Sequence, residues 1–365
     1  MITVQAITNA LSNVEEPDLG SDLVTLNMIK DIVVNGLNVA FTVVLTTPAC
    51  PLKQIIHNAC QAAIHHLVNK DAIVTINMTA NTSSKRIDPN QILPNVKNII
   101  AVVSGKGGVG KSTVAANLAM SLHMQGASVG LMDADIYGPS VPIMFGVKGQ
   151  RPLMKDNGTK AMIQPLEQYG IKLMSIGLLV DEKDAVVWRG PMASSAIKQF
   201  ITDVEWGNLD YLVIDMPPGT GDIHLTLLQT VPVTGVLVVS TPQQVALADA
   251  KKAIAMFGQA QIKVPILGIV ENMSYFTPAE LPDKKYYIFG KHGAAKLAQE
   301  YDLPLLAQIP IVETICIGGD AGKPAIMNVD STTQNAFMEL GKTVVRNIAM
   351  RNANVQPTMP VMVFE

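Results

Sequence analysis

With 365 residues the chain is too long for one ordinary domain and long enough for two. Apolar residues make up 48% and charged residues 16%, which supports a sizeable core and excludes wholesale disorder; a net charge of −3 and 5% aromatic residues give no reason to expect nucleic acid or an anionic membrane as partner. No apolar run approaches the ~20 residues of a membrane span, Met1–Pro17 shows no basic stretch followed by an apolar one, and three scattered cysteines make no disulfide framework; the expectation is a chain without a secretory leader in a reducing, cytoplasmic setting.

In chain order, Thr3–Asn13 reads as a short helix. Ile29–Val34 and Asn38–Leu45 read as a strand pair turned at Asn35-Gly36, a favoured hairpin dipeptide. Pro51–Val68 has helical spacing, with Ile55, Ile56, Cys60, Ile64 and Leu67 on roughly one face. Ala72–Met78 reads as a further strand, so residues 1–80 form a small α/β unit. The next stretch, residues 81–97, is polar, carries Pro89 and Pro94, and reads as a linker.

From Asn98 the pattern repeats as strand, Gly-rich turn and helix. Strands are expected at Ile99–Ser104, Ser128–Asp133, Tyr211–Asp215, Gly235–Ser240 and Ile266–Val270, with a weaker one at Leu305–Ile309. Their short, unbroken apolar runs are what strands buried on both faces look like. The fold class expected is α/β: a doubly wound, mostly parallel sheet over 98–350, preceded by the small domain. Gly149–Glu182 reads as a loop with a hairpin, and 351–365 as an irregular tail.

Gly105-Lys106-Gly107-Gly108-Val109-Gly110-Lys111-Ser112-Thr113 satisfies G-x-x-x-x-G-K-[ST] between an apolar strand and a helix, the P-loop context. Glycines let backbone N–H groups curl around phosphate oxygens, and the helix starting near Lys111 points its positive end at the anion. Lys111 is expected on the β/γ-phosphates of ATP and the Ser112 hydroxyl on Mg²⁺. Lys106 is an additional loop lysine, unnecessary for phosphate in its own subunit; its bland reading is a solvated side chain. Asp133 and Asp135 end the second strand, and Asp215 ends the strand before Met-Pro-Pro-Gly-Thr-Gly-Asp222. Asp215 is expected to hold Mg²⁺ directly or through water, and Asp135 to orient the attacking water; the competing reading for each is a helix N-cap.

Lys106–Thr113 resembles the deviant Walker A of the MinD/ParA/NifH/ArsA class. Asp133-Ala-Asp-Ile-Tyr-Gly-Pro-Ser140, Asp215–Asp222, Glu271-Asn-Met-Ser-Tyr275 and Gly319-Asp-Ala-Gly-Lys-Pro324 narrow the resemblance to the Mrp/ApbC family of iron–sulfur cluster carriers, over Asn98–Asn347. Glu16-Pro-Asp-Leu-Gly20 and Leu45-Thr-Thr-Pro-Ala-Cys-Pro51 resemble the PaaD/SufT-type domain fused to many of these proteins. The resemblance implies a nucleotide-switched homodimer that hydrolyses ATP and passes clusters, [4Fe–4S] included, between assembly proteins and client apoproteins; the alternatives are an ATP-dependent assembly adaptor that binds no cluster itself and, after it, a MinD/ParA-like positioning ATPase. It also implies that Lys106 reaches the partner's nucleotide, that Asp135 and Asp215 sit in switch segments (Asp133 beside them on the metal), and that Asn272 hydrogen-bonds adenine.

There is one departure. Cluster-bridging family members carry Cys-x-x-Cys after the Glu-Asn-Met segment, whereas Tyr275–Tyr286 here contains no cysteine. Cys316 would give a symmetric dimer two thiols, short of the usual four. Cys50, just before a helix start that would lower its pKa, is read either as a cluster or partner thiol or as a buried small hydrophobe. Cys316 reads as core, loop or a substitute ligand, and Cys60 as core. His57, His65 and His66 match no zinc spacing and read as solvated.

Overall fold

The computed structural model describes residues 1–86, 92–156, 158, 160–180, 190–259, 262, 264–278, 280–281, 283–328 and 331–354, with Asp222 and Ser331 described by backbone alone. Two compact units divide the chain: Met1–Ser83 with Val345–Val355, and Ser84–Val344.

In the first unit, α1 (Val4–Leu11) is capped by the Thr3 hydroxyl, which accepts from the Ala6 amide. A short pair, β1 (Glu15–Glu16) and β2 (Ser21–Asp22), precedes a three-stranded sheet of β3 (Ile29–Asn35), β4 (Asn38–Leu45) and, after α2 (Lys53–Leu67), β5 (Ile73–Ala80). β3 and β4 run antiparallel with Asn35 opposite Asn38, so the two-residue loop is Gly36-Leu37, and Gly36 supplies the positive φ of 63°. Val39, Phe41, Val43 and Leu45 alternate inward along β4. They meet Ile56, Cys60 and Ile64 at i, i+4, i+8 of α2, each aliphatic worth roughly 1.5–3 kcal/mol of burial. Ile55 and Leu67, expected on that face, are instead exposed, because the buried stripe of this helix is narrower than the apolar spacing suggested. Cys60 is core, whereas His65 is half-buried with Nε2 3.1 Å from the Ala72 carbonyl.

The second unit is an eight-stranded sheet. Its elements in order are β6 (Val96–Val103), α3 (Lys111–Met124), β7 (Val129–Asp133), α4 (Val141–Met144), β8 (Leu153–Asp156), β9 (Ala161–Gln164), β10 (Leu166–Gln168), β11 (Ile171–Ser175), α5 (Gly190–Thr202), β12 (Leu209–Asp215), α6 (Asp222–Thr230), β13 (Gly235–Ser240), α7 (Gln244–Gly258), β14 (Ile266–Glu271), α8 (Gly293–Glu300), β15 (Leu305–Gln308), α9 (Glu313–Asp320) and α10 (Ser331–Asn354). Sheet order is β10-β11-β7-β12-β6-β13-β14-β15, parallel throughout except for β10 at one edge. Every residue of β7 and β13 is buried, as two covered faces require. α3 packs on β6, β7 and β12, α7 on β13 and α8 on β14.

Three differences from the sequence reading stand out. Within Gly149–Glu182, β8 and β9 form the expected hairpin, but β11 joins the main sheet beside β7. β6 begins at Val96, inside the stretch read as linker. Residues 345–354, expected in the ATPase domain and tail, belong to the first unit as the end of α10; the rest of the tail, 355–365, lies outside the described residues, as do 87–91 of the linker. No helix among the described residues is long and apolar enough to cross a membrane.

Candidate functional site

β6 is the central strand from which the sheet extends in both directions, and crevices outside strand C-termini at such a reversal are where open α/β sheets bind ligands. The strand register brings three chain segments there together. Asp215 at the end of β12 pairs with Asp133 at the end of β7 on one side and with Val102 of β6 on the other. Beyond the strands the pairing continues, with Ala134 N–H donating to the Asp215 carbonyl at 2.8 Å and Gly219 N–H to the Ser104 carbonyl at 2.8 Å.

The P-loop leaves β6 through Gly105–Gly110, and α3 begins at Lys111. Gly108 and Gly110 hold φ of 81° and 80°, where any Cβ is strained. A Cβ on Gly105 would lie 2.1 Å from the Asp249 carbonyl carbon, so the loop's position against α7 demands glycine. Asn272 pins the same loop, its Nδ2 donating to the Val109 carbonyl at 2.8 Å.

Lys111 is 6% exposed, and its Nζ lies 2.5 Å from Asp215 Oδ1, 3.6 Å from Asp135 Oδ2 and 3.3 Å from Ser112 Oγ. Asp133 is fully buried and accepts from the amides of Asp135 (3.1 Å) and Val141 (3.2 Å) and from Ser175 Oγ at 3.0 Å. Burial, then the neighbouring Asp215, push the Asp133 carboxyl above the usual carboxylate range, with Lys111 opposing. Burial and Asp215 raise Asp135 in the same way.

Two carboxylates, Asp215 and Asp135, thus flank one buried ammonium, with Asp133 at the neighbouring strand end, and Asp215 Oδ2 is buried without a hydrogen-bond partner. A divalent cation offsets that excess and satisfies the orphaned oxygen, so the donor set fits Mg²⁺, a hard cation bound through one or two carboxylates with phosphate and water completing its shell. Among the described residues no group of three or more His, Cys, Asp or Glu is arranged to hold a metal unaided.

Beside Gly110 and Thr113 opens a cavity of about 450 Å³, with Ile143, Met144, Asn272, Pro310 and Ile311 in its walls. Its size and apolar walls suit a flat heterocycle. The Asn272 turn is fixed by Glu271, whose buried carboxylate accepts from Ser274 Oγ (2.5 Å), the Ala294 amide at the start of α8 (2.7 Å) and Gln308 Nε2 (2.7 Å). The sequence shows Glu271 only as part of a motif and gives no sign of Ser175; a strand-end acid directly before a turn is the available signal for the first.

The remaining expected residues lie apart from this cluster. Lys106 is exposed. Cys316 sits exposed on α9, in the wall of the 450 Å³ cavity, with Sγ 3.8 Å from Asp320 Oδ2. Cys50 lies in the first unit, half-buried; burial above all raises its thiol pKa, outweighing the lowering by the Leu52 and Lys53 amides at the start of α2, so the lowering expected from a following helix does not prevail. In the segment that lacks cysteines, Lys285 Nζ stands 4.0 Å over the Tyr275 ring.

Comparison with known proteins agrees with this geometry. Residues 95–345 match the family described as NUBPL iron-transfer P-loop NTPase, and residues 4–77 match the one described as iron–sulfur cluster assembly protein. An iron–sulfur cluster carrier protein from Synechocystis is 45% identical over 352 residues, covering 96% of this chain and 99% of that protein. The chloroplastic Fe–S cluster assembly factor HCF101 of Arabidopsis thaliana is 42% identical over 351 residues, covering 94% of this chain and 64% of that protein. A solved nucleotide-binding protein from Archaeoglobus fulgidus, in complex with ADP, is 39% identical over 66% of this chain and 92% of its own, with a TM-score of 0.57. The chain belongs to the family of NUBPL iron-transfer P-loop NTPases in which the iron–sulfur cluster carrier proteins are found.

Proposed function

We propose that the protein binds and hydrolyses Mg-ATP and uses that cycle, as a homodimer, to assemble, carry or deliver iron–sulfur clusters to client apoproteins. The observation that carries the reading is the P-loop lysine held between Asp215 and Asp135 beneath left-handed glycines, in a chain of this family. In it the triphosphate lies along the amides of Gly105, Gly107, Gly108, Val109, Gly110, Lys111, Ser112 and Thr113. Lys111 turns from the carboxylates to the β/γ-phosphates, and adenine enters the cavity beside Asn272. Ser112, Asp215 and Asp133 are the residues that would hold magnesium, which would neutralise phosphate charge when bound. Asp135 orients the attacking water, and the exposed Lys106 serves the partner subunit's nucleotide. Loss of the γ-phosphate then releases the loops after β7 and β12. Residues 1–83 with 345–354 act as a small domain separate from the ATPase unit of 84–344.

Anaerobic reconstitution with iron and sulfide, followed by iron and sulfide analysis and transfer to an apoprotein, tests the cargo half; cluster transfer supports it, and neither binding nor any effect on target maturation rejects it. A second reading, an ATP-dependent adaptor that carries no cluster itself, is favoured by the cysteine-free Tyr275–Tyr286 segment and the Lys285–Tyr275 contact that occupies it. It predicts ATP-dependent capture of assembly partners by a colourless protein.

A further inference from the structure

A second cavity, of about 430 Å³, opens between the loop after β7 and the loop after β12, with Asp135 and Tyr137 on one wall and Pro217, Pro218 and His224 on the other. His224 stands in the first turn of α6 and is 1% exposed. Ile223, Leu227 and Leu228 of the same helix are buried beside it, so the sequence places a polar ring where an aliphatic one would fill the stripe without cost. The Gly221 and Pro217 carbonyls are the polar groups that reach the ring, and as acceptors they can serve only its N–H; the acceptor nitrogen has no partner. Phe257 meets the ring edge-on at 6.5 Å between centroids and offers it nothing polar. Burial pushes the imidazole pKa down to about 4, with Lys111 adding to the fall and the Gly221 and Pro217 carbonyls opposing it, so the ring is neutral and presents one donor and one acceptor.

Leaving the buried acceptor nitrogen unsatisfied is costly, and buried polar groups in native proteins are almost always paired with protein or water. The adjoining cavity is roomy enough for ordered water, and Asp135 and Tyr137 offer it polar partners among mainly apolar walls. Asp135, which lines it, is also 3.6 Å from the Lys111 ammonium. The unsatisfied ring and the carboxylate beside the phosphate lysine therefore share one chamber.

We infer that His224 is a positioning residue for ATP hydrolysis: its ring holds water in this chamber, and that water and Asp135 together keep the nucleophilic water in line with the γ-phosphorus. The inference rests on the hydrolysis reading above and deepens it. In the step, the water oxygen forms a bond to the γ-phosphorus. The bond from that phosphorus to the β–γ bridging oxygen breaks, its electron pair leaves with ADP, and the water's proton passes to the Asp135 carboxylate. His224 changes neither charge nor covalent partner.

The test measures steady-state phosphate release by the full chain with Mg-ATP, alongside ATP titration calorimetry and melting temperature, for wild type, His224→Gln and His224→Leu. Gln keeps a donor and an acceptor; Leu keeps bulk only. Expected are a kcat at least about tenfold lower for Leu, with KM and ATP affinity within about threefold of wild type, and most of kcat restored in Gln. Should Leu fail to fold, His224→Met takes its place against Gln. Equal rates in wild type and Leu, or equal losses in Gln and Leu, overturn the positioning role while leaving hydrolysis standing. A wild-type chain that binds ATP without turning it over overturns both.

Discussion

Lys111 and Lys106 sit five residues apart in one loop and face different worlds: the first is buried between two carboxylates, the second is exposed. Lys111→Ala deletes a charge-assisted contact to phosphate, worth about 2–3 kcal/mol, so calorimetry should show ATP affinity falling by roughly 100-fold. Lys106→Ala should bind ATP within about threefold of wild type yet lose at least about tenfold in turnover; normal hydrolysis by this variant would end the idea of a lysine acting across the dimer. His224 makes a different prediction. Its folded pKa of about 4 lies below the 6.5 of a free histidine, so between those values the unfolded chain takes up a proton that the folded chain refuses. The stability it contributes is complete above pH ~6.5 and declines as pH falls towards 4, by up to about 3 kcal/mol. Urea unfolding at pH 7 and pH 5 should show this decline, and His224→Leu should flatten part of it.

At the scale of elements, Glu271 ties β14 to the first turn of α8 and to β15 through one carboxylate. Glu271→Ala leaves the Ala294 amide and Gln308 without that acceptor. It should cost about 3 kcal/mol in urea unfolding and also weaken ATP binding, because the Asn272 turn that pins Val109 loses its anchor. Elements of this kind were legible in unequal measure. β6, β7, β12 and β13 declared themselves through the apolar runs Ile99–Val103, Val129–Met132, Tyr211–Ile214 and Gly235–Val239 within them, since a strand covered on both faces has no polar side to alternate with. β11 did not: Ile171–Ser175 is interrupted by Lys172 and follows directly on β10, so its local pattern is that of a hairpin, and only tertiary pairing with β7 makes it a sheet strand. The phosphate side of the site was readable because backbone geometry forces glycine and lysine into fixed spacing. The cavity walls at Ile143, Met144, Pro310 and Ile311 were not, since apolar lining carries no spacing of its own.

Across the whole molecule, the first unit is completed by the far end of the chain. Val345, Arg346 and Ala349 line a small cavity with Asp18, Leu19 and Cys50, and an Arg346 nitrogen lies 2.6 Å from Asp18 Oδ1. Nothing in the sequence announced this, because the returning residues are the last turns of an ordinary helix. Iodoacetamide should therefore modify Cys50 slowly, limited by local opening and by the raised thiol pKa. In a Cys316→Ser background, adding Val345→Ala and Arg346→Ala should raise the rate at Cys50 about tenfold by mass spectrometry, equivalent to easing that opening by ~1.4 kcal/mol. An unchanged rate would show that these side chains do not shield the sulfur.

That closure carries a consequence for biosynthesis. Between Ser83 and Val345 lie 261 residues, which a ribosome adding about 5–20 residues per second needs roughly 13–50 seconds to make. For that interval the nascent chain displays Cys50 without its covering turns, and a thiol that later becomes sheltered is, early in the protein's life, open to whatever chemistry meets it first.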